Sequence, residues 1–239
     1  MMSDDQADLL LRQCKIVACG TMRREIRKLA EEGLLDGDRL LFTAPGLHEW
    51  PRKLEEQLTR RLEKACGNSE PVIVVYGESC YFDFETSTDT DSLVARFGPR
   101  VARVRAKTCV DMLASSEERE RIAKGGKVYW FTPGWIEHWD FIFKDWDVGK
   151  ANETFPVNDK GIVLDGVGYF EELSRRDPER ILRICDWAKL PLEPHGVSLG
   201  RLRSLLRKCA EALALHNAER GEYVRPHGEA RNEQEQENG

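Results

Sequence analysis

Three of the seven cysteines in this chain stand at the end of segments with the pattern of β-strands. The segments, each with its cysteine, are 15–19 with Cys19, 72–80 with Cys80 and 101–109 with Cys109. Parallel strands share one carboxyl edge, and open α/β sheets bind their ligands at that edge. The pattern therefore predicts that three thiols meet at one edge of a sheet.

Thiolates bind zinc, iron–sulfur clusters or copper, or act as nucleophiles. The three cysteines are separated by 61 and 29 positions and form no local Cys-x-x-Cys pair, so only the fold can bring them together. Three protein ligands leave a fourth position open, as catalysis at a metal requires. Some α/β enzymes hold a [4Fe–4S] cluster in this way. The pattern predicts an open three-cysteine site that holds a [4Fe–4S] cluster as the first choice and zinc as the second. The alternative interpretation is that the three cysteines are unrelated buried thiols.

Two further polar side chains lie near predicted strand ends. His48 follows the predicted strand 39–43 in a Pro-Gly loop, where a histidine can serve as an acid/base group or as a fourth ligand. A loop histidine that only forms hydrogen bonds is the simpler interpretation. Asp111, two positions after Cys109, either supports that ligand by a hydrogen bond or caps a helix.

Three residues are candidates for contact with a cofactor. Gly20 and Gly77 lie in the turns that lead to or from the first two cysteines, and Trp135 lies in an aromatic loop after the predicted strand 127–131. Trp135 would form a pocket wall, although packing in the core is the default role of such a residue. The cysteines at 14, 66, 185 and 209 lie in helix-like surroundings, which is typical of small buried hydrophobic residues.

Apolar runs of strand length alternate with helix-length segments of 3.6-residue periodicity along the chain. This alternation predicts an α/β fold with a mainly parallel, Rossmann-like sheet flanked by helices. The repeated strand-then-cysteine pattern suggests two related βα halves. We expect a frayed lead-in or short helix at 1–13, a single α/β domain at 14–221 and a disordered, polar tail at 222–239.

Composition excludes several classes of function. The chain has 239 residues, 41% of them hydrophobic, and a net charge of −6, which disfavours binding to nucleic acid. No apolar run approaches the roughly 20 residues of a membrane span. The acidic start lacks the features of a signal peptide, so we expect a cytoplasmic protein with reduced cysteines and no membrane partner.

Five short motifs in this order resemble those of the domain-of-unknown-function family numbered 1638: residues 16–20, 46–48, 75–80, 107–111 and 131–135. The resemblance covers roughly residues 14 to 190. The family usually has Asp directly before its third cysteine, whereas this chain has Thr108. The resemblance implies a prokaryotic protein encoded near corrinoid-dependent methyltransferases, and it implies that the three cysteines act together.

Two classes of function follow from these observations. In the first, a metal held by the three cysteines acts on a small-molecule substrate or on a corrinoid protein or methyltransferase. In the second, the chain is a non-catalytic accessory or maturation partner of a corrinoid methyltransferase, with a structural zinc. A zinc-thiolate methyltransferase is a further version of the first class, because zinc presents a bound thiol as a thiolate.

Overall fold

The computed structural model describes residues 2–67 and 70–219. The predicted tail at 222–239 lies outside these residues. The strands are β1 (Lys15–Ala18), β2 (Leu40–Phe42), β3 (Val72–Val75), β4 (Phe82–Asp83), β5 (Thr88–Asp89), β6 (Val101–Arg103), β7 (Val128–Phe131), β8 (Lys160–Asp165) and β9 (Leu192–Gly196). The helices are α1 (Asp4–Gln13), α2 (Arg23–Glu31), α3 (Pro51–Cys66), α4 (Thr90–Ala95), α5 (Cys109–Leu113), α6 (Ser116–Ala123), α7 (Pro133–Glu137), α8 (Trp139–Ile142), α9 (Val148–Thr154), α10 (Tyr169–Arg176), α11 (Pro178–Ala188) and α12 (Gly200–Glu219).

The first sheet has four parallel strands in the order β2-β1-β3-β6. The chain therefore runs from β1 outward to β2 and then crosses back to place β3 on the other side of β1. The reversal makes the gap between β1 and β3 a topological switch point, the place where ligands bind in doubly wound sheets.

The second sheet has three parallel strands in the order β7-β8-β9, and β4 pairs with β5 as a short antiparallel hairpin. The predicted α/β, Rossmann-like class with parallel strands flanked by helices is confirmed. The parallel strands are divided between two sheets, which gives two βα units of four and three strands.

Both faces of the first sheet are covered, because alternate side chains of β1 and β3 enter different clusters. Ile16 and Ile73 face a central core that also contains Ile162 and Leu164 of the second sheet. Helices α1, α2 and α12 complete that core. Val17 and its neighbours on the opposite face pack against the apolar stripe of α3. A third, aromatic cluster lies between the second sheet and the segment containing α7 to α11.

The lead-in at 1–13 contains the short helix α1, whose Ala7 and Leu11 are buried. Two other elements differ from the sequence-based expectation. The polar stretch 147–160 contains helix α9, with Asp147 as its N-cap. Strand β9 lies at the edge of the second sheet, where its Pro194 does not interrupt a ladder and its polar residues face solvent. Polar sequences of this kind carry no apolar periodicity from which an element can be predicted.

No helix in the described part of the chain is long and apolar enough to cross a membrane.

Candidate functional site

The three cysteines follow three neighbouring strands of the first sheet. Cys19 directly follows β1, Cys80 ends a 3-10 turn after β3, and Cys109 opens α5 after β6. Because β1, β3 and β6 are adjacent and parallel, all three residues lie at one carboxyl edge. Two of the three strands border the switch point.

The thiols are close enough to influence one another electrostatically. Burial raises the pKa of Cys80 well above its usual range, and the charges of Cys109 and Cys19 raise it further. Burial raises the pKa of Cys109 to about 12, and Cys19 adds to that shift. Each pair of the three is therefore coupled, so the sulfurs share one poorly solvated region.

Hydrogen-bond donors surround two of the sulfurs. The Thr21 hydroxyl donates to the Cys19 sulfur at 3.1 Å. The Trp135 indole donates to Cys109 and thereby lowers its pKa, against the larger effect of burial. The hydroxyl of Tyr76, at the end of β3, is fully buried and lies against both Thr43 and Cys19. Polar groups from several strand ends thus converge on the thiols.

Glycines hold the surrounding loops in close backbone contact. A Cβ atom at Gly20 would lie 2.7 Å from the Pro45 backbone nitrogen. A Cβ atom at Gly77 would lie 2.7 Å from the Cα atom of Thr108. Each glycine therefore lies against a neighbouring loop, because the cysteine-bearing loops pack backbone to backbone. Contact of the two glycines with a cofactor stays a prediction.

The rings of His48 and Trp135 are in tilted contact beside the thiols. Their ring centroids are 5.1 Å apart, and the same Trp135 donates to Cys109. Nε2 of His48 lies 3.6 Å from a carboxylate oxygen of Glu49. Burial lowers the pKa of His48, although Glu49 opposes this, so the imidazole is neutral at neutral pH. His48 is therefore one aromatic ring away from the cysteines.

Asp111 caps α5. One of its carboxylate oxygens accepts hydrogen bonds from the backbone nitrogen and the hydroxyl of Thr108, at 2.9 and 2.7 Å, and its other oxygen pairs with Arg119. Of the two interpretations of Asp111, the structure shows the helix cap.

Comparison with known protein families identifies the family of this chain. A family model described as "Protein of unknown function (DUF1638)" matches residues 42–206. The chain belongs to this family. The matched region of the DUF1638 protein contains Cys80, Cys109, His48 and Trp135, and it begins after Cys19. No curated protein and no solved structure matches the chain.

One buried residue near the cysteines of this DUF1638 protein was not predicted from the sequence. Glu25 on α2 has no exposed surface, and its charge raises the pKa of Cys109. The signal for its burial was present in the sequence: Met22, Ile26 and Leu29 form the apolar stripe of α2, and Glu25 lies on that stripe.

Two further observations bear on the candidate site of this DUF1638 protein. Across residues 2–67 and 70–219, no set of three or more His, Cys, Asp or Glu side chains is arranged to hold one metal ion. A surface cleft of about 660 Å³ lies elsewhere, between α6, β9 and the start of α12. The thiols lie outside that cleft, with Cys19 buried and Cys80 and Cys109 partly buried.

Proposed function

We propose that this DUF1638 protein holds a metal centre at Cys19, Cys80 and Cys109, with a [4Fe–4S] cluster as the first choice and zinc as the second. The observation that carries the proposal is the convergence of three mutually coupled thiols from three adjacent parallel strands at a topological switch point. The centre would act on a small-molecule substrate or on a corrinoid protein or methyltransferase.

The protonation of the thiols supports metal binding over direct nucleophilic attack. A nucleophilic cysteine needs a lowered pKa, whereas burial raises the pKa of both Cys80 and Cys109. Arg103 lowers the pKa of Cys80, but its effect is smaller than that of burial. A metal cation supplies the missing positive charge and deprotonates a bound thiol.

A [4Fe–4S] cluster and a single zinc ion require different spacings of their cysteine ligands. Sulfurs that share one zinc at about 2.3 Å lie roughly 4 Å apart. A [4Fe–4S] cluster binds each cysteine through a different iron, so its ligands lie further apart.

The surrounding residues of the chain have separate roles in this proposal. Thr21 and Trp135 donate hydrogen bonds to ligand sulfurs, and such bonds adjust the reduction potential of an iron–sulfur centre. His48, neutral and in tilted contact with Trp135, is the candidate acid/base group. When bound, the cluster would supply electrons or a Lewis-acidic position. The link to corrinoid-dependent methyl transfer rests on the genomic setting that the family resemblance implies.

Metal analysis of cysteine variants tests the proposal. We expect that anaerobically purified wild-type protein contains iron and sulfide, and that Cys19→Ser, Cys80→Ser and Cys109→Ser each lose most of this metal. The physical reason is that a serine hydroxyl stays protonated at neutral pH and is a poor ligand for soft metals.

The matched controls are the other four cysteines, changed to serine one at a time: Cys14, Cys66, Cys185 and Cys209. These variants should keep the wild-type ratio of metal to protein and should fold comparably by circular dichroism. Zinc without iron would select the zinc version of the proposal. Wild-type protein that contains neither metal would refute both.

A further inference from the structure

The surface cleft between α6, β9 and the start of α12 is separate from the cysteine site. Its volume is about 660 Å³, and sites for small molecules in proteins are clefts of about 300–1,000 Å³. Apolar side chains that include Leu113, Ile122 and Ile162 form part of its lining, and charged side chains form another part. The size and the mixed lining of the cleft are typical of a site for a small organic molecule.

The charged side chains of the cleft are mostly cationic. Four cations and two carboxylates line it: Arg121, Lys124, Lys160 and Arg201, and Glu118 and Glu193. Four cations against two carboxylates leave an excess of two positive charges in a chain whose net charge is −6. The cleft thus gathers positive charge in a protein that is acidic as a whole, and this local charge attracts an anionic ligand.

Both carboxylates of the cleft already have partners. A carboxylate oxygen of Glu193 lies 2.7 Å from Nζ of Lys160. Glu118 accepts a hydrogen bond from the backbone nitrogen of Ser115 at 2.6 Å, as part of the cap of α6. The other three cations, at positions 121, 124 and 201, form no ion pair within 4.0 Å across residues 2–67 and 70–219. These three cations are therefore available to an anion from solution.

The guanidinium of Arg201 is held in place by one of its nitrogens. Its Nε donates a hydrogen bond to the backbone carbonyl of Asp111 at 2.6 Å. Its two terminal nitrogens have no hydrogen-bond partner in the part of the chain that the structure describes. A guanidinium that is fixed in this way can bind two oxygens of a carboxylate or phosphate group with its terminal nitrogens.

Helix α6 supplies the other two available cations. Arg121 lines the cleft from within the helix, and Lys124 lines it from the C-cap, where the backbone is left-handed with a φ of 50°. Both side chains are exposed, so a ligand can reach them from solvent. Because α6 and α12 border the same cleft, one ligand with two negative charges can contact cations of both helices.

We propose that this cleft binds a small organic dianion, either a phosphate monoester or a dicarboxylate, that has an apolar body. Arg201 pairs with one oxyanion group, and Arg121 and Lys124 neutralise the remaining negative charge. The apolar side chains of the cleft contact the carbon skeleton of the ligand. This inference uses no residue of the three-cysteine site, so it does not depend on the proposed metal centre.

Isothermal titration calorimetry of the full chain at low salt and about pH 8 tests the proposal. The three probes are phenyl phosphate, phthalate and inorganic phosphate. We expect one of the two organic probes to bind one-to-one and at least about tenfold more tightly than inorganic phosphate, because only the organic probes bury an apolar ring. Tighter binding of phenyl phosphate assigns the ligand as a phosphate monoester, and tighter binding of phthalate assigns it as a dicarboxylate.

Four variants, each titrated with the tighter organic probe, locate the site. We expect the affinity to fall at least about tenfold in Arg201→Gln and at least about threefold in Arg121→Gln, because each loses a charged partner of the anion. Glu118→Gln should bind at least about twofold more tightly, because a competing carboxylate is gone while Gln can still cap α6. Arg27→Gln, exposed on α2 outside the cleft, is the matched control and should bind as wild type does.

Thermal melting of the unliganded variants shows whether a loss of binding is a loss of fold. Arg121→Gln keeps the test decisive, because Arg121 is exposed and makes no hydrogen bond or ion pair within the described residues. Wild-type protein that binds none of the probes at up to about 10 mM would overturn the inference. Equal affinity for all three probes would also overturn it, as would Arg201→Gln and Arg121→Gln proteins that bind as tightly as Arg27→Gln.

Discussion

Cys80 and Cys109 are thiols rather than thiolates at neutral pH in the metal-free chain, because burial outweighs the charges near them. With its pKa raised to about 12, the Cys109 side chain is almost entirely protonated at pH 7. The same residue in the unfolded chain would ionise near its ordinary pKa of about 8.5. At the scale of single residues, the folded protein therefore suppresses thiolate chemistry unless a cation is bound.

Alkylation of the cysteines tests this conclusion. We expect Cys80 and Cys109 of the metal-free, folded protein to react with iodoacetamide at pH 8 at least about a hundredfold more slowly than in the urea-unfolded chain. Their rates should keep rising up to about pH 10 without a plateau, because both folded pKa values lie above that range. Peptide mass spectrometry measures each cysteine separately.

The unfolded chain is the internal control, since it contains the same cysteines without burial. Fast alkylation of folded Cys80 or Cys109 that levels off near neutral pH would indicate an activated thiolate. That outcome would favour a nucleophilic role over metal binding.

At the scale of elements, the loops after the strands position the thiols through backbone contacts. Gly77 precedes the turn that contains Cys80, and Thr108 precedes Cys109. The absence of a side chain at Gly77 lets these two loops touch, and Ser79 donates a backbone hydrogen bond to the Lys107 carbonyl at 2.9 Å. The separation of Cys80 and Cys109 thus depends on a residue that carries no functional group.

Substitution of Gly77 should disturb both stability and metal binding. In Gly77→Ala the new Cβ atom would lie 2.7 Å from the Cα atom of Thr108, so one of the two loops must move. We expect the free energy of unfolding to fall by about 1–3 kcal/mol, as is typical of overpacking, and the metal content to fall with it. Urea unfolding and metal analysis give the two quantities.

Gly37→Ala is the matched control, because a Cβ atom at Gly37 would meet nothing within 4 Å. It should unfold within about 0.5 kcal/mol of wild type, as is usual for surface changes. If Gly77→Ala behaves like Gly37→Ala, the contact between the two loops does not position Cys80.

At the scale of the whole molecule, the carboxyl ends of the two sheets meet at the cysteine site. A Cβ atom at Gly134, in the first turn of α7, would lie 2.6 Å from the Cα atom of Thr21, so the start of this helix packs directly on the Cys19 turn. Trp135 therefore reaches Cys109 from the second sheet. The site contains residues of both βα units and depends on how they are held together.

Ion pairs join α1 to α12, two of the helices that complete the central core. Arg207 donates to both carboxylate oxygens of Asp8, at 2.7 and 2.8 Å, and also pairs with Asp4. The hydrogen bonds from Arg207 hold the pKa of Asp8 below its ordinary value. Asp8 therefore stabilises the folded chain above its unfolded pKa of 3.8, and this contribution is lost as the pH falls through the lower folded pKa.

Asp8→Asn tests the contribution of this contact. We expect the variant to lose about 1 kcal/mol of unfolding free energy at pH 7, because the pair is partly exposed and screened by solvent. The difference from wild type should shrink as the pH falls through the lowered folded pKa of Asp8, where the wild-type carboxyl also becomes neutral. Urea unfolding at neutral pH and at about pH 2.5 measures both differences.

The matched control is Asp5→Asn on the same helix, which removes an equal charge but leaves both oxygens of Asp8 on Arg207. It should change the unfolding free energy less than Asp8→Asn does at neutral pH. Equal losses from the two variants would show that general charge on α1, rather than the Asp8–Arg207 pair, is responsible.

The sequence by itself determined those features that depend on neighbouring residues. Alternating and apolar runs predicted the strands that precede the three cysteines, and the alternation of strands with helices predicted the α/β class. The sequence also predicted a helix cap: Asp177 caps α11, as its position before Pro178 predicts. Each of these features is set by contacts within a few residues along the chain.

The tertiary structure decided everything that depends on partners distant in the chain. The periodicity of a strand shows which side chains share a face but not which strand lies beside it, so the order β2-β1-β3-β6 and the second sheet could not be derived. The loop partners of Gly20 and Gly77 and the isolation of Glu25 have the same origin. Burial and close contact are properties of the packed chain, because they depend on residues brought together from far along the sequence.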